Sequence, residues 1–259
     1  MIQKIAIILF FIFFLDSAFS QSQRWRLTRF EVSAGIGTSY TQTDIGGYKN
    51  ILESYKGIDI LGTRPSFFFG ARYKLTEKIA TKVNFSIAWL SGRDALGDYP
   101  NRRFSFETFM FEPTARLEYF LLREHVIGPR YSIMDLRGGI RNRYYVINVY
   151  LFLGAGGAYI IPFVNEKIKA DRRYHSDYDH FILVIPTGIG VRYLLTRQTL
   201  LNLEFAGQYA FSDYIDGFNS KYPKTSANDF YFFANLNFVY KFRTNIKGLP
   251  VFKHRKYVF

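Results

Sequence analysis

The chain has 259 residues, no cysteine and a formal net charge of +13, and 19% of its residues are aromatic. Its mean hydropathy of −0.06 is too low for a helical membrane protein, whose spanning segments are almost entirely apolar. The absence of cysteine excludes a disulfide framework and a lipid-modified cysteine. A chain of this length fits a single domain.

The first 20 residues are typical of a signal peptide. Lys4 supplies a positive charge, residues 5–15 form an uncharged apolar run, and Ala18 and Ser20 are the small residues of a cleavage site before Gln21. The apolar run is too short to span a membrane, which takes about 20 residues. We therefore expect an exported protein, with an uncleaved N-terminal anchor as the alternative.

Eight segments after residue 29 alternate between apolar and polar residues, the pattern of strands with one apolar face. They lie at about 30–40, 66–73, 82–89, 111–119, 149–159, 183–193, 201–209 and 232–242. In lipid such strands must close on themselves, because an open sheet edge leaves backbone groups without hydrogen bonds. The pattern predicts an all-β fold, an eight-stranded antiparallel up-and-down transmembrane β-barrel.

The fifth segment also resembles a membrane helix, because residues 144–165 carry no charge and are long enough to cross a bilayer. Gly154, Gly156, Gly157 and Pro162 and many β-branched and aromatic residues disfavour a helix. A lone helix would also leave strand edges unpaired in lipid. We therefore predict a strand here.

An outward-facing Tyr or Trp lies near the end of every predicted strand. These residues are Tyr40, Tyr73, Trp89, Tyr119, Tyr159, Tyr193, Tyr209 and Tyr240. Because successive strands end on opposite sides of a barrel, they would form one ring at each membrane interface, where Tyr and Trp are enriched. The second, fourth, sixth and eighth strands would end on the periplasmic side.

Connection lengths agree with this topology and divide the chain. The connections after the second and sixth strands are short, as periplasmic turns are, whereas that after the fourth, at about 122–145, is long. We predict a signal peptide over 1–20, an outer-membrane barrel with an N-terminal periplasmic lead over 21–242, and a basic periplasmic tail over 243–259.

Nine charged residues fall on the inward faces of the predicted strands. They are Glu31, Arg72, Lys82, Glu112, Arg116, Glu118, Arg192, Glu204 and Lys241. Eight strands leave an interior that side chains just fill, so buried charges at this density must pair. We predict a structural salt-bridge network and exclude a wide channel; a proton or ion path and a catalytic site are the alternatives. The pattern does not identify the carboxylate that pairs with Arg192.

A polar cluster in the third predicted outer loop is the other candidate for chemistry. His175 and His180 lie there near Asp171, Ser176, Asp177 and Asp179. The cluster suits a metal site or a hydrolase, but it has no ligand spacing and equally fits a solvated loop. We assign no catalytic, cofactor or metal residues.

Positive charge is concentrated on the predicted periplasmic face. Segments 21–29, 122–145 and 243–259 hold 13 Lys and Arg residues and two acidic residues. The four predicted outer loops, at about 42–63, 91–103, 161–180 and 212–229, hold 11 basic and 12 acidic residues. Such a face attracts an acidic protein surface or anionic headgroups. Nucleic acid is not a partner in this compartment. The candidate docking residues are Arg24, Arg26, Arg123, Arg130, Arg137, Arg141, Arg143, Lys253, Arg255 and Lys256.

Several runs resemble the PorG-like family of outer-membrane barrels. They are 31–40 (EVSAGIGTSY) followed by 44–47 (DIGG), 71–75 (ARYKL), 103–106 (RFSF), 185–193 (IPTGIGVRY), 212–216 (SDYID) and 228–231 (NDFY). The resemblance spans about residues 30–242. It implies a Bacteroidetes-type bacterium and a non-enzymatic component of the type IX secretion system, linked to a periplasmic ring of a lipoprotein and its partner. It implies no catalytic residues.

We therefore expect a membrane anchor or docking component of a secretion machine. The alternatives are an outer-membrane lipid-modifying enzyme that uses the His175/His180 loop and a surface barrel for ligand binding or adhesion.

Overall fold

A computed structural model of the chain describes residues 23–42, 63–93, 104–122, 147–169, 179–196, 198–212, 214–215, 229–245 and 249–251. In these ranges the chain forms a 3-10 helix at Gln23–Thr28, one turn of α-helix (α1, Glu166–Lys169) and eight strands. The strands are β1 (Phe30–Gln42), β2 (Arg64–Lys74), β3 (Ile79–Arg93), β4 (Ser105–Phe120), β5 (Ile147–Val164), β6 (Phe181–Leu194), β7 (Thr199–Ala210) and β8 (Phe230–Lys241). Within the described residues, no helix has the length and apolar character needed to cross a membrane.

The strands form a closed antiparallel barrel in chain order, in which β8 pairs with β1. The stagger of the strands can be measured by moving from each residue to its partner on the next strand. Starting at Glu31, this path passes once around the barrel and returns to β1 at Thr41, ten residues further along the strand. This stagger tilts the strands, and with eight of them the interior is just wide enough for side chains to fill. The predicted fold class is confirmed.

The ambiguous stretch 144–165 supplies β5, as predicted. The main difference from prediction is that β4 begins earlier and β5 ends later. Their extensions pair with each other, Phe106 opposite Val164, and Phe106 packs with Ile168 of α1. This contact buries Ile168 completely, which explains why the two strands continue beyond the predicted bounds.

The two ends of the barrel differ. One end carries the start of β1, the end of β8 and the short connections 75–78 and 195–198, and we call it the turn end. The opposite end, where β1 leads into connection 43–63, is the loop end. Tyr73, Tyr119, Tyr193 and Tyr240 lie at the turn end, and Tyr40, Trp89, Tyr159 and Tyr209 lie at the loop end.

Apolar side chains cover the exterior between these two rings. Ile36, Val83, Leu117, Leu153 and Phe238 each expose more than half of their surface. A soluble protein rarely exposes so large an apolar area, whereas a barrel in lipid requires it. The chain is therefore an outer-membrane type of barrel, with an apolar exterior and a lumen that holds its charges.

Cysteine labelling would determine the orientation in the membrane. Cysteines that replace Ser54, Ser176 and Ser220, in three predicted outer loops, are expected to react with an impermeant maleimide on intact cells. A cysteine that replaces Ser132, in the predicted periplasmic connection, is the matched control and should react only after lysis. The four positions lie outside the described residues. The opposite labelling pattern would show that the turn end faces outward.

Candidate functional site

The nine charged residues that the sequence places in the lumen are all buried. Glu31, Arg72, Lys82, Glu112, Arg116, Glu118, Arg192, Glu204 and Lys241 each expose at most 3% of their surface. Lys74, exposed by 4%, joins them. Sequence reasoning missed Lys74 because it ended the second strand at Tyr73. One more step of the same alternation would have placed this side chain in the lumen.

Glu31 lies at the turn end of the lumen and binds three cations. Its Oε1 lies 3.0 Å from Nζ of Lys74, and its Oε2 lies 3.0 Å from Nη1 of Arg72 and 2.8 Å from Nη2 of Arg192. Arg192 comes from β6, three strands away around the barrel. Glu31 is therefore the carboxylate that the sequence pattern left unidentified, and it joins distant parts of the wall.

Arg72 connects Glu31 to a second cluster. Its Nε lies 2.5 Å from Oε2 of Glu118, and its Nη2 lies 3.9 Å from Oε1 of Glu204. Glu204 also accepts hydrogen bonds from Nζ of Lys82 at 2.6 Å and from Nη1 of Arg116 at 3.3 Å. Buried ions are tolerated when they are paired in this way, so the arrangement fits a structural network.

Tyr150 belongs to this network, although sequence reasoning did not find it. Its hydroxyl donates to Oε1 of Glu204 at 2.6 Å and accepts from Nη2 of Arg72 at 3.2 Å. The ring occupies the space above Gly190, its partner on β6, where a Cβ atom would come within 2.2 Å of the ring. The feature that could have identified Tyr150 is a lumen-facing tyrosine opposite a glycine. Recognising this pair requires the register between β5 and β6, which the sequence alone does not give.

Glu112 is separate from these clusters. Its Oε2 accepts a hydrogen bond from the hydroxyl of Tyr231 at 2.8 Å. A buried apolar cluster that includes Phe68, Met110 and Phe233 lines the lumen on the loop side of the network. The lumen therefore has a charged half near the turn end and a mainly uncharged half near the loop end. In the latter, which we call the apolar half, the apolar cluster lies beside uncharged polar side chains such as Thr108 and Gln208.

A short segment after β7 closes the apolar half. Ile215 is fully buried in the apolar cluster. Its carbonyl accepts a hydrogen bond from Oγ1 of Thr108 at 2.6 Å, and its N–H donates to Oδ2 of Asp229 at 3.0 Å. Side chains thus occupy the lumen up to the loop end, and the arrangement suits a rigid core better than a channel.

The lead and the first part of the tail meet at the turn end. The N–H of Thr244 donates to the carbonyl of Leu27 at 2.8 Å, and its hydroxyl donates to the carbonyl of Arg26. The tail then folds back, because the N–H of Val251 donates to the carbonyl of Arg243 at 2.8 Å. We call residues 23–29, 243–245 and 249–251 together the clasp. The start of the predicted tail is thus ordered against the lead.

The structure describes two of the ten predicted docking residues. Arg26 is exposed on the clasp, and Arg24 belongs to the same 3-10 helix. Outside the described residues lie Arg123, Arg130, Arg137, Arg141, Arg143, Lys253, Arg255 and Lys256. Their roles remain predictions.

Other described charges at the turn end are also mainly basic. Arg29 and Arg243 lie on the clasp, and Lys78 lies in the connection between β2 and β3, beside the acidic Glu77. Because β8 and β1 are neighbours, the barrel brings the basic lead and the start of the tail, including Arg243, to one side of this end.

The polar cluster of the third predicted outer loop is described only at its end, at Asp179 and His180. The ring of His180 stacks on Tyr159 at 5.5 Å, and its Nδ1 lies 3.0 Å from the carbonyl oxygen of Ile160. Asp179 is exposed. Outside the described residues lie Asp171, His175, Ser176 and Asp177. Among the residues described, no group of three His, Asp or Glu side chains is arranged to hold a metal ion.

Several solved barrels have a similar structure. Neisserial surface protein A is 13% identical, with a TM-score of 0.43, over 82% of this chain and 97% of its own. OprG of Pseudomonas aeruginosa is 12% identical, with a TM-score of 0.43, over 84% of this chain and 97% of its own. Ail, the attachment invasion locus protein of Yersinia pestis, is 12% identical, with a TM-score of 0.40, over 83% of this chain and 99% of its own.

No curated protein sequence matches this chain. A family model described as a domain of unknown function, DUF6089, matches residues 8–247. The match covers all eight strands and the connections between them. The chain belongs to the DUF6089 family.

Proposed function

We propose that this barrel is a non-enzymatic anchor or docking component of a protein secretion machine, similar to that of type IX secretion. The proposal places it in the outer membrane of a Bacteroidetes-type Gram-negative bacterium. Its partners would be outer-membrane lipid and the periplasmic ring formed by a lipoprotein and its partner. The supporting observation is that the basic lead and the start of the tail meet at the turn end.

The lumen supports this proposal indirectly. The network around Glu31 and Glu204 pairs the buried charges, and Ile215 closes the opposite half. A filled lumen is poorly suited to transport or to chemistry on a bound substrate. Function then belongs to the surfaces outside the membrane, where the sequence concentrates positive charge on one face.

Charge reversal in connection 121–146 tests the docking role. With Arg130, Arg137 and Arg141 all changed to Glu, the barrel should fold and insert, but periplasmic partners should no longer co-purify and secretion should stop. An acidic docking surface would be repelled, and charge screening over about 8 Å confines the effect to close partners. Co-purification from mild detergent and the amount of secreted protein per folded barrel measure the result.

The matched control reverses three arginines in or beside the second predicted outer loop, Arg93, Arg102 and Arg103, and should leave both readouts unchanged. If the first triple variant inserts less well while secretion per folded barrel is preserved, lipid is the ligand of this face and the docking role is wrong. Lipid turnover by purified protein without ring partners would instead support an enzyme.

A further inference from the structure

The clasp lies directly against the circle of tyrosines around the turn end, to which Tyr73 and Tyr240 belong. Nη1 of Arg29 donates to the hydroxyl of Tyr73 at 3.3 Å. The ring of Phe242 packs against Phe30 and Tyr240, with centroids 5.7 and 5.0 Å apart. Because Tyr side chains in such rings lie at headgroup depth, the base of the clasp lies at the membrane interface.

Apolar and cationic side chains share the exposed surface of the clasp. Leu27, Leu249 and Val251 expose 61%, 64% and 46% of their surface, and Arg26 and Arg243 are also exposed. Surfaces of this composition bind at membrane interfaces, because the apolar groups enter the acyl boundary while the cations meet anionic headgroups. Both the apolar and the cationic side chains of the clasp therefore suit binding to anionic lipid.

Backbone hydrogen bonds hold the clasp close to the rim of the barrel. The N–H of Phe242 donates to the carbonyl of Phe30, and the N–H of Lys74 donates to the carbonyl of Arg29, both at 2.9 Å. A surface held at this depth lies against the headgroup layer, and a soluble periplasmic protein would be farther away.

We propose that the clasp binds anionic phospholipid in the periplasmic leaflet of the outer membrane. Arg26 and Arg243 contact the phosphate groups, and Leu27, Leu249 and Val251 lie in the interface beside them. The lipid fixes the lead and tail against the membrane and thereby orients the turn end. This role does not depend on secretion, because the docking test above changes residues of a different segment.

A single tryptophan in the 3-10 helix of the clasp serves as the fluorescence probe. The chain has two tryptophans. Trp25 belongs to the 3-10 helix and Trp89 to the ring at the loop end, so Trp89→Phe leaves Trp25 alone. The barrel is refolded in vesicles of phosphatidylcholine and phosphatidylglycerol, one of which carries brominated chains. Brominated phosphatidylglycerol is expected to quench Trp25 more strongly than brominated phosphatidylcholine.

The double variant Arg26→Gln with Arg243→Gln should bind phosphatidylglycerol less selectively. Its preference for this lipid, measured from the quenching by the two brominated lipids, should fall about fivefold for each arginine removed. The control is Arg93→Gln, because Arg93 is exposed at the loop end, and it should retain the preference of the parent. Band shifts on unheated gels show that each variant is folded.

Equal quenching by the two lipids, or a preference that the double variant retains, would overturn the proposal. If neither brominated lipid quenches the fluorescence, the clasp lies in water, which also contradicts lipid binding. A protein would then be the favoured binding partner of the clasp.

Discussion

Replacement of Glu31 by Gln is expected to lower the free energy of unfolding by about 3–5 kcal/mol, the usual effect of removing one partner from a buried ion pair. The substitution removes the charge that Arg72, Lys74 and Arg192 share inside the lumen. The cations would remain buried without their closest carboxylate. Urea unfolding in detergent measures the loss, and on gels the folded band should disappear at a lower temperature.

Glu107→Gln is the matched control for this experiment. Glu107 also pairs with an arginine, since its Oε1 lies 2.5 Å from Nη2 of Arg64, but its side chain is 60% exposed. An ion pair in water contributes roughly 0–1 kcal/mol, so this variant should unfold almost as the parent does. Equal unfolding of the Glu31 variant and the parent would mean that water screens the charges of the lumen.

Arg72→Met is expected to have an effect of similar size, again about 3–5 kcal/mol. Arg72 contacts Glu31, Glu118 and Glu204, and the Nε contact to Glu118 is the closest of them. Its removal leaves the Glu118 carboxylate buried without that cation. The methionine side chain fills part of the space, so the loss should be mainly electrostatic.

A double-mutant cycle separates the charge effect from the packing effect. Glu118→Gln in the Arg72→Met background removes the isolated charge and should restore part of the lost stability. We expect an interaction energy of about 1–3 kcal/mol between the two positions. Strictly additive losses would show that Arg72 and Glu118 are not coupled. The stabilisation by Arg72 would then come from Glu31, Glu204 or packing, for example against the Tyr150 ring that its guanidinium covers at 5.1 Å.

A filled lumen also limits where function can reside. Glu31 and Glu204 are surrounded by cations, and Ile215 is seated in the apolar half. If both predicted stability losses are observed, the lumen is a rigid support for the surfaces at its two ends. The turn end is then the first surface to search for partners, because the lead and the start of the tail meet there.

The sequence by itself determined the number of strands and the side of the wall that each strand residue faces. Alternation is a local property, since successive side chains point to opposite faces whatever the neighbouring strand is. Arg192 could therefore be placed in the lumen, and Tyr193 on the exterior, without any knowledge of the fold.

Only the tertiary structure decided which of these residues meet. Glu31 and Arg192 are 161 residues apart, and their contact depends on the stagger of all the strands between them. The same holds for Tyr150 above Gly190 and for Thr244 against Arg26. Such contacts are set by the register around a closed barrel, which is a property of the whole sheet and leaves no local signal in any one strand.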